Sequence, residues 1–302
     1  MELLNNGKIN FIVNIHHRLG EVLTGGVVAM HYLAYLLAKK GHNVYILCEP
    51  EYSHENIHVI KSWGTEKIQW DRFYFQYPNT VAVYDQDTYG DWFGTHWKAR
   101  WILHDTKKGI EDTWHIDESY FNYGTFKTFN NKESNQLTAM NFYFDVFKNK
   151  KQPNRKGFCH LLHKHTSPNA KTFLNEINST NLSKWKALGC HKYLNKEFNK
   201  HEYFITYDQK SFWPSVAALC GCKVIVMNSS DNPNSYYDCN VTPEEYRESN
   251  PLNKYGVAFG FEDLQHAIDT QHLVEDHLKE MDKQNEKTVD NFIKFWENKM
   301  GK

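Results

Sequence analysis

The chain of 302 residues is poor in the features that mark several large protein classes. Its six cysteines (Cys48, Cys159, Cys190, Cys220, Cys222 and Cys239) have neither the density of a disulfide framework nor a paired C-x-x-C spacing, so reduced thiols in a cytoplasmic protein are expected. No apolar run approaches the ~18–20 residues of a membrane span, and INFIVNI at 9–15 is too short for a signal peptide. With Lys plus Arg at 35 and Asp plus Glu at 36, the net charge is -1 and no whole-molecule field draws nucleic acid, so no nucleic-acid partner is expected. A G-K-[ST] ending and a G-x-G-x-x-G run are both missing, which leaves ATPase and dehydrogenase readings little support. No repeat with a period of roughly 20–50 residues is visible. Sequons at Asn178, Asn181, Asn228 and Asn240 read as chance in an asparagine-rich chain.

What is present points to a globular protein. The composition is 40% hydrophobic, 15% aromatic and 24% charged, enough for a packed interior and unlike a disordered or collagen-like chain. At about 100–200 residues per domain, the length predicts two domains.

Residues 9–15 form a β-branched, aromatic run that leads through HHRLGEVLTGG into a helical pattern over 27–40. Val27, Met30, Ala34, Leu37 and Ala38 share one face, Gly41 stands where a left-handed cap is needed, and NVYILC (43–48) starts the next strand. This is a β-α-β crossover, so parallel strands are expected. Further strands are predicted at 57–60, 81–84 and 100–103. The polar, basic stretch KNKKQPNRK (148–156) suits a linker, which puts an N-terminal domain at 1–150 and a second at 151–302. The pattern then restarts with strands at 157–163, 203–207 and 223–227 and helices near 181–200 and 212–220. The tail from 262 to 300 reads as long helices, with Leu264, Ala267 and Ile268 and then Val289, Phe292, Ile293 and Trp296 at helical spacing.

Two corners carry candidate chemistry. Gly25 and Gly26 precede a helix and allow a close backbone approach to an anion or a sugar hydroxyl, or form a plain tight turn. In EYFITYDQKSFWPSVAALCGCKVIVM a strand ends at Tyr207, a short loop Asp208-Gln209-Lys210-Ser211 follows, and Ser211 is a good N-cap for the next helix. That places a helix start at a strand's carboxyl end, where open α/β sheets bind phosphates. Lys210 adds positive charge, and Asp208 suits sugar hydroxyls. His160, His163 and His165 do not share one strand face, so structural or phosphate-facing roles are expected rather than zinc.

The Gly-Gly loop into a helix ending GHNV, VAVYD, KARWILHDTKKG, the acidic loop with AALCGCKVIV, and YGVAFGFEDLQHAIDT occur in an order that resembles nucleotide-sugar-dependent glycosyltransferases of the GT-B fold, in a bacterial and viral subgroup. The resemblance implies an α/β chain of two Rossmann-like domains facing a cleft, with C-terminal helices packing back across them. It implies sugar transfer from a nucleoside diphosphate sugar to a glycan, a lipid-linked glycan or another hydroxyl acceptor, without a metal or other cofactor. The donor site would comprise His163, Lys164, Tyr207, Asp208, Lys210 and Ser211, with Lys164 and the helix start near Ser211 at the diphosphate and Asp208 at the donor sugar. Of the two acids that bracket this loop and helix in many members, only Asp208 is present; the second position is Val216, which leaves Ser215 or a backbone group to meet the ribose. A general base is expected on the first domain, with Asp85 first and His16, Glu21, His104 and Asp105 beside it. Asp85 and Asp87 also form a D-x-D, which keeps a metal-dependent GT-A transferase open, and the missing second acid keeps a non-catalytic nucleotide- or carbohydrate-binding protein open. The basic linker suggests peripheral contact with anionic lipid.

Overall fold

The computed structural model describes residues 8–15, 25–47, 66–67, 78–162, 167–185, 190–227 and 240–301. The chain packs as two units, Met1–Asn141 with Asp282–Lys302, and Phe142–Met281.

The first unit is built on a parallel sheet of β1 (Asn10–Asn14), β2 (Asn43–Leu47), β3 (Glu66–Lys67), β4 (Thr80–Asp85), β5 (Trp97–Ile102), β6 (Ser119–Asn122) and β7 (Asn135–Gln136), in the order β3-β2-β1-β4-β5-β6-β7. Every residue of β1 is buried, as in a central strand covered on both faces. The β1–β2 crossover runs through α1 (Gly25–Lys39), which buries Met30, Leu33, Ala34 and Leu37. It stops at Gly41, whose φ of 91° lets its N–H donate to the Ala38 carbonyl (2.9 Å) while His42 N–H donates to that of Leu37 (3.3 Å).

The same core receives the second half of α7 (Val274–Lys299), whose Val289, Phe292, Ile293 and Trp296 are all buried. The Phe292 ring lies 5.7 Å from Phe11 and 4.7 Å from Phe121. The tail therefore does return to the first unit, on the face its periodicity marked. On the sheet's other face Ile12, Ala82, Tyr84 and Phe93 cluster under the loop that joins β4 to β5.

The second unit carries β8 (Phe158–His160), α2 (Pro168–Glu176), β9 (Thr180–Asn181), α3 (His191–Lys200), β10 (Tyr203–Thr206), α4 (Trp213–Leu219), β11 (Lys223–Val226), α5 (Pro243–Ser249), β12 (Val257–Phe259) and α6 (Leu264–Thr270). Its sheet is also parallel, in the order β12-β11-β10-β8-β9. Gly221, at φ 90°, ends α4 as Gly41 ends α1, with Gly221 N–H on the Ala218 carbonyl (2.7 Å) and Cys222 N–H on that of Ala217 (3.0 Å). Ala267 of α6 and Val274 and Leu278 of α7 are buried in this unit.

The units divide between Asn141 and Phe142 rather than at 150/151, and residues 282–302 belong to the first unit. The basic stretch that reads as a linker is fastened down. Phe147 packs 5.4 Å from His191 and 6.4 Å from Phe198. Buried Asn199 donates to the Lys148 carbonyl (2.9 Å) and accepts from Lys150 N–H (2.7 Å), while Arg155 donates to the Cys220 carbonyl (2.6 Å). The helix expected from 181 begins at His191, because Thr180–Asn181 pair with β8 instead. The strand expected at 57–60 lies outside the described residues. Cys159, Cys190, Cys220 and Cys222 are free thiols, and among the described residues no helix is long and apolar enough to cross a membrane.

Phe292→Ala should lower unfolding free energy in urea by about 3–5 kcal/mol, because it leaves a cavity beside the Phe11 and Phe121 rings. Removing the exposed Lys39–Glu286 pair (2.9 Å) by Glu286→Ala should cost less than about 1 kcal/mol.

Candidate functional site at the carboxyl edges of the two sheets

In each sheet the strand order reverses at one place, the position at which open α/β sheets generally bind ligands. In the first unit it lies between β1 and β4, the strands that end in Asn14 and Asp85. Asn14 is fully buried; its Nδ2 donates to Thr88 Oγ1 (2.9 Å) and its Oδ1 has no hydrogen-bond partner among the described residues. Asp85 Oδ1 accepts from Asp87 N–H (3.1 Å), Thr88 N–H (2.9 Å) and Thr88 Oγ1 (2.7 Å). This carboxylate oxygen caps its own loop, as aspartate does in an Asx turn.

The loop is held from below by Arg100, whose side chain is fully buried. Its Nε and Nη2 donate to the two oxygens of Glu118 (2.8 and 2.7 Å), and its remaining N–H groups donate to the carbonyls of Asp85 (2.9 Å), Thr88 (2.7 Å) and Gly90 (2.9 Å). Tyr84 and Trp114 rings lie 4.9 and 5.0 Å from its guanidinium carbon.

On this platform Asp87 Oδ2 meets His104 Nε2 at 2.9 Å and accepts from Gln86 Nε2 at 2.9 Å, while His104 Nδ1 donates to the Asp105 carbonyl (2.9 Å). Partial burial pulls the His104 pKa down, but the hydrogen bond and charge of Asp87 outweigh it, and the imidazole titrates above its usual value. Asp87 likewise resists desolvation: His104 and Gln86 hold its carboxyl below the ordinary range. His104 and Asp85 are thus on neighbouring strand ends, and the D-x-D carboxylates are engaged by backbone amides, a hydroxyl, an amide side chain and an imidazole. Among the described residues no group of three or more His, Cys, Asp or Glu side chains is arranged to hold a metal.

Asp105 Oδ1 accepts from Lys127 N–H (3.0 Å), a loop-fixing contact. Gly25 and Gly26 lie inside the first turn of α1 rather than before it, and neither has a positive φ. A Cβ at Gly26 would sit 3.5 Å from Leu103, whereas Gly25 faces open space. His16 and Glu21 lie outside the described residues.

In the second unit the order reverses between β8 and β10. Asp208 N–H donates to Thr206 Oγ1 (3.0 Å), and Tyr246 Oη donates to the Gln209 carbonyl (3.2 Å). Tyr246 is itself clamped between the Phe259 ring, stacked at 4.4 Å, and Asn253 Nδ2, which donates to its oxygen (2.8 Å). Tyr207 and Gln209 are buried, Asp208 is half-buried and Lys210 exposed.

The helix start differs from the sequence expectation. Phe212, not Ser211, occupies the N-cap of α4, and Ser211 Oγ accepts from Trp213 N–H at 3.3 Å. Pro214 carries no N–H, so this short helix offers an anion few amides. Ser215 is fully buried and donates to the Phe212 carbonyl (2.7 Å), which keeps it from standing in for an acid at the ribose. Phe212 and Trp213, half-buried and 4.3 Å apart, form an aromatic ledge beside the loop. At the end of β8, burial pushes the His160 pKa down to about 4, with Nδ1 against Ser179 Oγ at 2.8 Å. His163, Lys164 and His165 lie outside the described residues.

Sequence reasoning missed Arg100, Glu118, Asn14 and Tyr246. The signal for the first was a charged residue in the middle of a strand, WKARWI, that is otherwise apolar or aromatic at its far end.

No protein-family model matches the chain, and no curated protein matches it. Among solved structures it is similar to the calicheamicin glycosyltransferase CalG4, at 9% identity over 98% of this chain and 99% of that one, with a TM-score of 0.47. It is also similar to the glycosyltransferase of kitacinnamycin, at 10% identity over 96% and 98% with a TM-score of 0.47, and to the glycosyltransferase SnogD from Streptomyces nogalater, at 10% identity over 96% and 99% with a TM-score of 0.43. The α/β class with two parallel sheets rests on the chain's own strand order and register.

An NMR titration should find His104 protonating above about 6.5, and Asp87→Asn should move that value down. A raised histidine pKa stabilises the fold fully below the unfolded value and loses that effect as pH rises through the folded one; here both groups are half-exposed and the effect is small. His160 has the opposite sign. Its neutral form is favoured, so stability present above pH ~6.5 falls as pH drops toward about 4, by up to about 3 kcal/mol, and His160→Gln should flatten that loss in urea midpoints.

Proposed function

We propose that this chain is a glycosyltransferase that moves a sugar from a nucleoside diphosphate sugar to a hydroxyl acceptor without a metal. The observation that carries the reading is the loop Asp208–Ser211 at the β8–β10 reversal. There a parallel sheet's carboxyl edge presents a half-buried acid, an exposed ammonium and an aromatic ledge on a backbone fixed by Thr206 and Tyr246. Asp208 suits donor sugar hydroxyls, Lys210 and Lys164 the diphosphate charge, and Phe212 with Trp213 the base. Cations that meet the pyrophosphate as it leaves supply the electrostatic stabilisation that a metal provides in other transferases. The order of motifs along the sequence supports the same assignment, with a nucleotide-sugar donor and a glycan or lipid-linked glycan acceptor.

The first unit is then the acceptor side. His16 and Asp85 are the candidates to take the acceptor proton, with the Asp87–His104 pair at the same edge. The hydrogen bonds that already engage Asp85 Oδ1 and Asp87 Oδ2 favour this metal-free reading over a D-x-D metal site.

Calorimetry in EDTA with UDP, GDP, dTDP and CDP should show saturable binding of at least one of them, weakened about tenfold or more by Lys164→Ala. No binding of any of the four at millimolar concentration would overturn the assignment.

A further inference from the structure

The carboxyl ends of β6 and β7 border a groove of about 420 Å³ within the first unit, inside the range of roughly 300–1,000 Å³ usual for small-ligand sites. Its lining includes Lys127, Lys132, Asn122, Asn131, Gln136 and Phe126, and no aspartate or glutamate.

Both walls are fixed. On one side, Gly124 carbonyl accepts from Asn122 Nδ2 (2.8 Å) and Gln136 Nε2 (3.1 Å), and Ser134 Oγ donates to Asn122 Oδ1 (3.1 Å). On the other, Phe129 N–H donates to Thr106 Oγ1 (2.6 Å), Asn130 N–H to buried Glu111 (3.2 Å) and Lys132 N–H to Thr128 Oγ1 (2.6 Å). These bonds hold Asn131 at a φ of 51°.

Lys132 is set rather than loose. Its Nζ donates to Tyr120 Oη (3.0 Å) and stands 4.7 Å from the Tyr120 ring and 5.5 Å from that of Trp114. Among the described residues neither Lys132 nor Lys127 is ion-paired with a carboxylate. Two lysines and no carboxylate line this concavity, the nearby Asp105 carboxylate being bonded to Lys127 N–H, and such a lining favours a positive local potential in a chain whose total charge is -1. A cation pre-positioned by an aromatic pair and a phenol loses little freedom when an anion arrives.

We propose that this groove binds an acidic sugar unit of the acceptor: a hexose-sized ring bearing a carboxylate or a phosphate. The anion would meet Lys127 and Lys132, the hydroxyls Asn131 and Gln136, and the ring face Phe126. The assignment to the acceptor rests on reading the first unit as the acceptor side; the anion preference rests on the groove alone.

The test is an NMR titration of the full-length, isotope-labelled protein with glucuronate, glucose 6-phosphate and glucose. Saturable shifts among the signals of residues 122–136 with at least one acidic sugar, about tenfold tighter than with glucose, are expected, and whichever acid binds names the anion. Lys132→Gln and Lys127→Gln should each weaken that binding several-fold and leave nucleoside diphosphate affinity unchanged, whereas Lys132→Arg should retain it. Equal affinity for glucose, no saturable binding of either acidic sugar, or undiminished binding by both glutamine variants would overturn the proposal. Nucleoside diphosphates measured on the same samples separate the two failures: loss of acidic-sugar binding alone removes the groove, and absence of nucleotide binding alone removes the transferase reading.

Discussion

Arg100 is a cation with no access to solvent, and a guanidinium in that position is tolerable only when every N–H group and the charge itself are met. Glu118 meets the charge with both oxygens, and the carbonyls of Asp85, Thr88 and Gly90 take the remaining donors. The consequence is geometric. Three carbonyls of one loop converge on one planar fork, so the chain leaving β4 has a single low-energy path across the sheet. That path covers the face on which Tyr84 and Phe93 stack at 5.2 Å, places Asp85 as a cap, and delivers Asp87 to His104. Removing either partner would leave a buried charge unmatched and release the whole edge.

The second unit solves the same problem with neutral groups. Its switch-point loop hangs from a phenol: Tyr246 reaches the Gln209 carbonyl while stacked on Phe259 and fastened by Asn253. Parallel sheets require crossovers that return each strand to the same end, so all carboxyl ends gather along one edge. Polar loops are then concentrated where the sheet cannot bury them. The groove beside β6 and β7 and the Asp87–His104 pair lie at the carboxyl edge of the first sheet, and the Asp208 loop at the carboxyl edge of the second.

Much of the scaffold was legible in the sequence because it is enforced locally. The 9–15 run and the periodicity of 27–40 that stops at Gly41 are local side-chain and backbone patterns, and both reappear as β1 and α1. Short elements such as β6, β9 and β12 were illegible, because two to four residues carry no period and pair only when a neighbour presents its edge. The unit boundary was misplaced for a related reason. Lys148 to Lys156 is polar as a string, yet buried Asn199 and half-buried Arg155 fix its backbone to α3 and α4.

The sequence by itself determined that this is an α/β protein whose strands run parallel, that its tail buries Val289, Phe292, Ile293 and Trp296, and which loops follow the strands, since hydrophobic period and glycine placement act over a few residues. Only the tertiary structure decided what those loops do. A carboxylate becomes a cap or half of an ion pair according to which donors arrive from strands far away in the chain. Asp85 and Asp87 are two residues apart, and Arg100, Glu118 and His104 assign them different work because the sheet brings β4, β5 and β6 side by side.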